Sequence, residues 1–235
     1  MGELAALAVL SRQDGLITDA QALAHGFTAR RTLRRRVHDG GWRRVAPGVL
    51  LAGGHPLTDR ARVRAAGLWA GDRGVLSGPA AAWWHGMLGA APARVELTVA
   101  RSCGLRGRPG TVIRRRDLDP LDVATVDGVD LTAGPLTALE TAAVLRDGSV
   151  FLDRALQKHV RFPAVYRAYC RNLGAQGSAR VAALLTAAAD RADSAAERRL
   201  VAILRAAGVR GWQRAVPFGP WTIDIAFPDL KLAIE

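Results

Sequence analysis

The chain has 235 residues, 49% hydrophobic and 23% charged, a composition that buries a globular core and excludes a disordered tail, a collagen-like repeat and a disulfide scaffold. Its 33 basic residues outnumber 21 acidic ones, for a net charge of +12, and an excess of that size points to a polyanion, either nucleic acid or an anionic membrane. Cys103 and Cys170 stand in no CxxC or Cys/His cluster, which argues against structural zinc and makes a reducing compartment the default.

The chain divides into three zones, 1–54, 55–191 and 192–235. In the first, leucines and alanines at helical spacing predict a helix over Glu3 to Arg12. Thr18 caps a second helix that ends at His25-Gly26. Thr28 caps a third, from Ala29 to His38, stopped by Gly40-Gly41. Trp42 to Val45 and Val49 to Leu51 then flank Ala46-Pro47-Gly48, a hairpin signal. Three helices and a hairpin in this order make a winged helix-turn-helix.

In the second zone, helices are predicted over Asp59 to Ala70, Gly78 to Gly86, Pro135 to Leu145, Val150 to His159, Pro163 to Arg171 and Ser178 to Ala189. Strands are predicted over Val95 to Val99 and Thr111 to Arg115. The third zone reads as a helix from Ala195 to Ala207, strands at about Trp212 to Phe218 and Trp221 to Phe227, a turn at Pro228-Asp229, and a strand from Leu230 onward. The expected class is therefore α+β.

No stretch reaches the ~18–20 apolar residues of a membrane span. The apolar run Leu4 to Leu10 follows Glu3, not a basic segment, and lacks a cleavage site, so it is the core face of a helix and not a signal peptide. The cytoplasm is the expected location. Among the basic residues only Lys158 and Lys231 are lysine. That skew fits a GC-rich genome, and it explains which cation is used, not why cations are in excess.

The basic residues concentrate on the third helix and the hairpin. Between Thr28 and Arg44 stand Arg30, Arg31, Arg34, Arg35, Arg36, Arg43 and Arg44 against one acid, Asp39. Arg30 and Arg34 are i,i+4 neighbours, as are Arg31 and Arg35, while Leu33 and Val37 form the buried stripe. Such a helix enters the major groove, where guanidinium groups pair with guanine edges or clamp phosphates. Arg43 and Arg44 are placed to grip the flanking backbone. Arg30, Arg31, Arg34, Arg35, Arg43 and Arg44 are the candidate contacts to double-stranded DNA. If ~4–7 of these arginines touch phosphates, log affinity falls with log salt at a slope of about −4 to −6.

The third zone holds three acids in a pattern compatible with a metal site. Glu197 shares a helical face with Val201 and Leu204, Asp224 lies between Ile223 and Ile225, and Glu235 closes Leu232-Ala233-Ile234. Acids from a helix and two adjacent strands suit magnesium, which prefers oxygen ligands and keeps several waters. One such water, deprotonated, attacks a phosphodiester. Two plainer roles stay open: Ser194 and Glu197 form a capping box, and Asp224 makes a hairpin hydrogen bond or a salt bridge to Lys231 or an arginine.

Other candidates read as structural. His85 is a packed helix-end histidine without a Ser/Asp or Cys partner, and Trp83 and Trp84 belong to the core. The basic loop Arg101 to Arg108 with Arg114 to Arg116 either holds flanking DNA or is solvated. Its glycines do not follow a strand-then-helix pattern, so it is no nucleotide-binding loop.

Ser11 to Thr18 followed by Gly41 to Val49 resembles the N-terminal winged-helix domain of AbiEi-type antitoxins. Leu76-Ser77-Gly78-Pro79-Ala80-Ala81-Ala82-Trp83-Trp84-His85-Gly86 and Asp153 to Gln157 resemble the remainder of the actinobacterial members. Ser194 to Glu235 is similar to the start of a very-short-patch-repair-like endonuclease domain of the PD-(D/E)xK superfamily, with an αβββ core. The first resemblance implies DNA binding, autorepression, and countering of a nucleotidyltransferase toxin without contact. The second implies magnesium-dependent DNA cleavage, with Glu197, Asp224 and Glu235 catalytic and Asp224 and Glu235 on the metal. Relatives continue past the last acid, so a further tail is expected after Glu235. A DNA-binding endonuclease is thus the leading expectation, and a non-enzymatic antitoxin and autorepressor the alternative.

Overall fold

The structure, a computed structural model, describes residues 2–25, 30–175, 177–219 and 221–234. It divides into two compact units, Met1–Val181 and Ala182–Glu235.

The first unit begins with the predicted winged helix. α1 (Gly2–Arg12) buries Ala6, Val9 and Leu10, spaced three and four apart on one face. A short strand β1 (Leu16–Thr18) leads into α2 (Asp19–Ala24). Thr18 caps α2 in a reciprocal box: its hydroxyl accepts from the Gln21 amide at 3.1 Å, and Gln21 Oε1 accepts from the Thr18 amide at 2.9 Å. Thr28, the expected cap of the third helix, lies outside the described residues. α3 (Arg30–His38) precedes β2 (Trp42–Ala46) and β3 (Val49–Ala52). The strands form an antiparallel sheet in the order β1-β3-β2. Gly48, at φ 71°, supplies the left-handed residue of the wing turn. Leu33 of α3 packs with Ile17, Ala22, Trp42 and Leu50, so the opposite face of α3 is left to solvent.

α4 (Asp59–Ala70) carries the winged helix on one side: Ala61 and Ala65 pack against Leu16, Val49 and Leu51. On its other side Val63 and Ala66 join the core of a five-stranded sheet. That sheet is built from β4 (Gly74–Ser77), β5 (Val95–Val99), β6 (Thr111–Arg115), β7 (Val123–Val126) and β8 (Val129–Thr132), in the order β6-β5-β4-β8-β7. Strand alternation puts Leu76, Val95, Leu97, Val99 and Leu131 on the face packed by α4 and by α5 (Gly78–Trp84). The same alternation gives the other face Ser77, Glu96, Thr98 and Arg114, with Ser77 opposite Glu96 and Thr98 opposite Arg114. α6 (Gly134–Val144), α7 (Gly148–Lys158) and α8 (Phe162–Arg171) complete this part.

α9 (Ser178–Ala206) is one helix, where two are predicted with a break at Ser194. The sequence Ala187 to Glu197 has no glycine or proline, and its alanines, arginine and glutamate are strong helix formers. Position 194 therefore lies inside the helix and not at the start of one. In the second unit, β9 (Gln213–Phe218), β10 (Trp221–Phe227) and β11 (Leu232–Ile234) form an antiparallel sheet in the order β11-β10-β9. Ile225 and Phe227 pack against Val201 of α9, flanked by Leu200 and Leu204.

Candidate nucleic-acid interface

On α3, Arg31, Arg34 and Arg35 are exposed on the face opposite Leu33. Arg36 lies 5.7 Å over the Trp42 ring. Arg35 approaches Asp39 at 3.8 Å with both side chains mostly in solvent, a contact worth little. Arg43 is exposed on β2. Arg44 is held by Asp19 at 3.1 Å, next to the capped start of α2. Among the described residues, Arg31, Arg34 and Arg43 have no acidic partner. The side chain of Arg30 lies outside the described ones.

A network centred on the buried Arg64 ties this surface to the rest of the first unit. Asp14, in the turn after α1 at φ 56°, receives Arg64 Nε at 2.6 Å and Arg60 Nε at 3.5 Å, both from α4. Arg64 is only 3% exposed and also donates to the Asp127 carbonyl at 2.8 Å. Arg60 reaches the Asp127 carboxylate at 2.6 Å. Both guanidinium groups stack on Trp84, at 4.4 and 5.0 Å from the ring centroid, which adds a cation–π term. Arg108 of the β5–β6 loop donates to the Val45 carbonyl of β2 at 2.8 Å. Sequence spacing does not reveal this network, because Asp14 and Arg64 are 50 positions apart. The one local signal was the Asp127-Gly128 pair, whose positive φ values of 50° and 70° make the β7–β8 hairpin turn.

The second basic cluster is largely occupied. Arg101 pairs with Asp117 at 3.8 Å and Arg114 with Glu96 at 2.9 Å. Arg115 donates to the Leu105 carbonyl at 2.8 Å, and Arg116 is bound to Glu140. Burial pushes the Glu96 carboxyl above the usual range, opposed by Arg114 and assisted by the charge of Glu140. His85 at the end of α5 bonds the Thr132 carbonyl at 2.9 Å, and Trp84 is buried, as a packing role requires.

Two of the three acids of the third zone, Glu197 and Asp224, lie among the described residues, and these two are not brought together. Glu197 accepts two hydrogen bonds from Arg214, from Nε at 2.8 Å and from Nη2 at 2.5 Å. Arg214 pairs across the sheet with Ile225, which faces α9. Strand alternation then turns Asp224 to the opposite face, and it is exposed. Glu235 lies outside the described residues. Among the described residues no group of three His, Cys, Asp or Glu side chains stands close enough to hold a metal. Glu197 is paired with Arg214 and Asp224 lies on the other face of the sheet, so these two do not share one ion, while the expected metal pair Asp224–Glu235 includes a residue outside the described ones.

Residues 5–52 match the family model "Transcriptional regulator, AbiEi antitoxin", and residues 73–152 match "AbiEi antitoxin C-terminal domain". Both AbiEi antitoxin domains are recognised in this chain. The first match spans the winged helix with its arginines. The second runs from β4 into α7 and takes in Glu96, Arg114, Arg116 and Glu140. Neither reaches the third zone, so the matches lend the expected nuclease part no support. No curated protein matches the sequence. Among solved structures, the crystal structure of RV2827C protein from Mycobacterium tuberculosis is similar at 16% identity over 79% of this chain and 80% of that one, with a TM-score of 0.39. No helix among the described residues is long and apolar enough to cross a membrane.

Proposed function

We propose that this chain is a DNA-binding transcriptional regulator of the AbiEi antitoxin type, which represses its own operon in the cytoplasm. In this reading α3 lies in the major groove, with Arg31, Arg34 and Arg35 toward bases and phosphates. Arg43 and the wing grip the neighbouring backbone. The observation that carries it is that, among the described residues, Arg31, Arg34 and Arg43 are exposed without an acidic partner. A surface kept cationic and solvated is what phosphate contact needs. The buried Asp14–Arg64 tie supports the reading by holding the winged helix firmly on α4.

The test is fluorescence anisotropy with duplex DNA from upstream of the chain's own gene, next to a reporter driven by that segment. Tight, sequence-selective binding and repression are expected, and both are lost on Arg31→Ala/Arg34→Ala/Arg43→Ala. Equal affinity for scrambled DNA with no repression would refute the reading. Antitoxin action is tested separately, by co-expression with a neighbouring nucleotidyltransferase: growth is restored without a stable complex between the two proteins. The endonuclease expectation and its magnesium are not carried forward, because neither family match reaches the third zone and Glu197 is engaged by Arg214.

A further inference from the structure

Five buried side-chain atoms among the described residues lack a hydrogen-bond partner: Ser77 Oγ, Glu96 Oε2, Thr98 Oγ1, Arg116 Nε and Thr141 Oγ1. All five belong to β4, β5, the residue just after β6 or α6, where the polar face of the five-stranded sheet meets α6. Burying so many polar groups is costly, and an apolar layer of the same volume would be no less stable. Of the five, Arg116 Nε belongs to a residue that lines a cavity, and a ligand held there would supply its missing partner. At this layer lies a cavity of about 40 Å³, lined by Arg114, Arg116, Leu139, Glu140, Tyr169 and Asn172 among others, with room for more than one water-sized group.

The hydrogen-bonding capacity of the wall is lopsided. Two guanidinium groups offer about ten N–H donors. Arg116 spends Nη2 on Glu140 and leaves Nε buried without an acceptor. Arg114 turns Nε toward Glu96 at 2.9 Å in an ion pair that lacks hydrogen-bond alignment. Glu140 Oε2 already accepts from the Gly78 amide at 3.1 Å and from the Thr132 hydroxyl at 3.4 Å. Donors therefore exceed acceptors, and the missing partner is rich in acceptor oxygens.

We propose that this cavity binds a small oxyanion, a carboxylate or phosphate group, clasped by the guanidinium forks of Arg114 and Arg116. The site shares no residue with α3, and its two arginines lie in the part of the chain that the second antitoxin domain matches. The leucine and alanine wall, Leu136, Leu139 and Ala143, suits a short apolar body attached to that group.

The experiment is calorimetric titration of the full chain with inorganic phosphate and, separately, with acetate, each against chloride at equal ionic strength. Two variants accompany it. Arg116→Gln/Glu140→Gln removes both charges together, so that neither is left buried alone. Ala143→Leu fills the cavity while keeping every charge, and it carries the test if the first variant does not fold. One saturable site for at least one probe is expected in the wild type, weakened tenfold or more in each folded variant. The probe that binds identifies the anion class. No saturable binding of either probe overturns the proposal, as does binding that survives in Ala143→Leu, which would be general attraction to a basic surface.

Discussion

Asp14→Asn tests whether the winged helix is locked to α4. Asparagine tolerates the positive φ of this turn and keeps the side-chain volume, so the substitution removes charge alone. Arg64 would then sit 3% exposed with a neutral partner where a carboxylate stood 2.6 Å away. Breaking a fully buried pair costs ~3–5 kcal/mol. Here Asp14 is 26% exposed, and Arg64 keeps the Asp127 carbonyl and the Trp84 ring. The expected loss is therefore ~2–3 kcal/mol, which in a unit of this size lowers the melting temperature by roughly 4–12 °C. Arg64→Met, which removes the buried charge instead of stranding it, costs less, because Asp14 retains Arg60. Thermal unfolding followed by circular dichroism, with urea titration for the free energy, measures both. A change within ~0.5 kcal/mol for Asp14→Asn, typical of an exposed pair, would refute the lock, and so would a larger loss in Arg64→Met.

Three other expectations follow from particular contacts. Glu96 is held above its ordinary pKa of 4.5, so the folded state binds its proton more tightly than the unfolded chain does; stability from this group is present below pH 4.5 and declines as the pH rises above it. Glu96→Gln removes that decline, and an unaltered stability–pH curve would contradict the assignment. A Cβ at Gly148 would stand 2.0 Å from the Ala142 carbonyl oxygen, so Gly148→Ala should cost ~1–3 kcal/mol in urea unfolding; a neutral substitution would mean that the start of α7 is displaced. Magnesium should leave the melting temperature of this chain unchanged, and a saturable rise that Asp224→Ala abolishes would restore the metal site.

What was legible in the sequence was local. The helices of the winged helix, the Thr18 cap and the wing turn follow from spacing and end residues a few positions apart, and the structure places them as expected. The arginine face is legible for the same reason: i,i+4 spacing around Leu33 sets which side is wet. β1, β4, β7 and β8 escape because strands of three or four residues, such as Gly74–Ser77, carry too few alternations to register. The supposed break at Ser194 shows that a capping pattern without a breaker does not interrupt a good helical stretch. For the acids, Asp224 lies between Ile223 and Ile225 in sequence, but strand alternation puts it on the face away from the isoleucine that meets α9. Glu197 does lean toward the sheet, but what it meets there is Arg214, 17 positions away and on another element. Partners at that range, like Asp14 and Arg64, are set by tertiary packing, which no local window encodes.

The most direct test of DNA contact is the salt dependence of binding to duplex DNA. With Arg31, Arg34, Arg35 and Arg43 on phosphates, the plot of log affinity against log salt has a slope of about −4. Replacing Arg31, Arg34 and Arg43 by alanine should bring it toward zero by about 2.7. A triple variant whose slope equals that of the wild type would show that the duplex docks elsewhere.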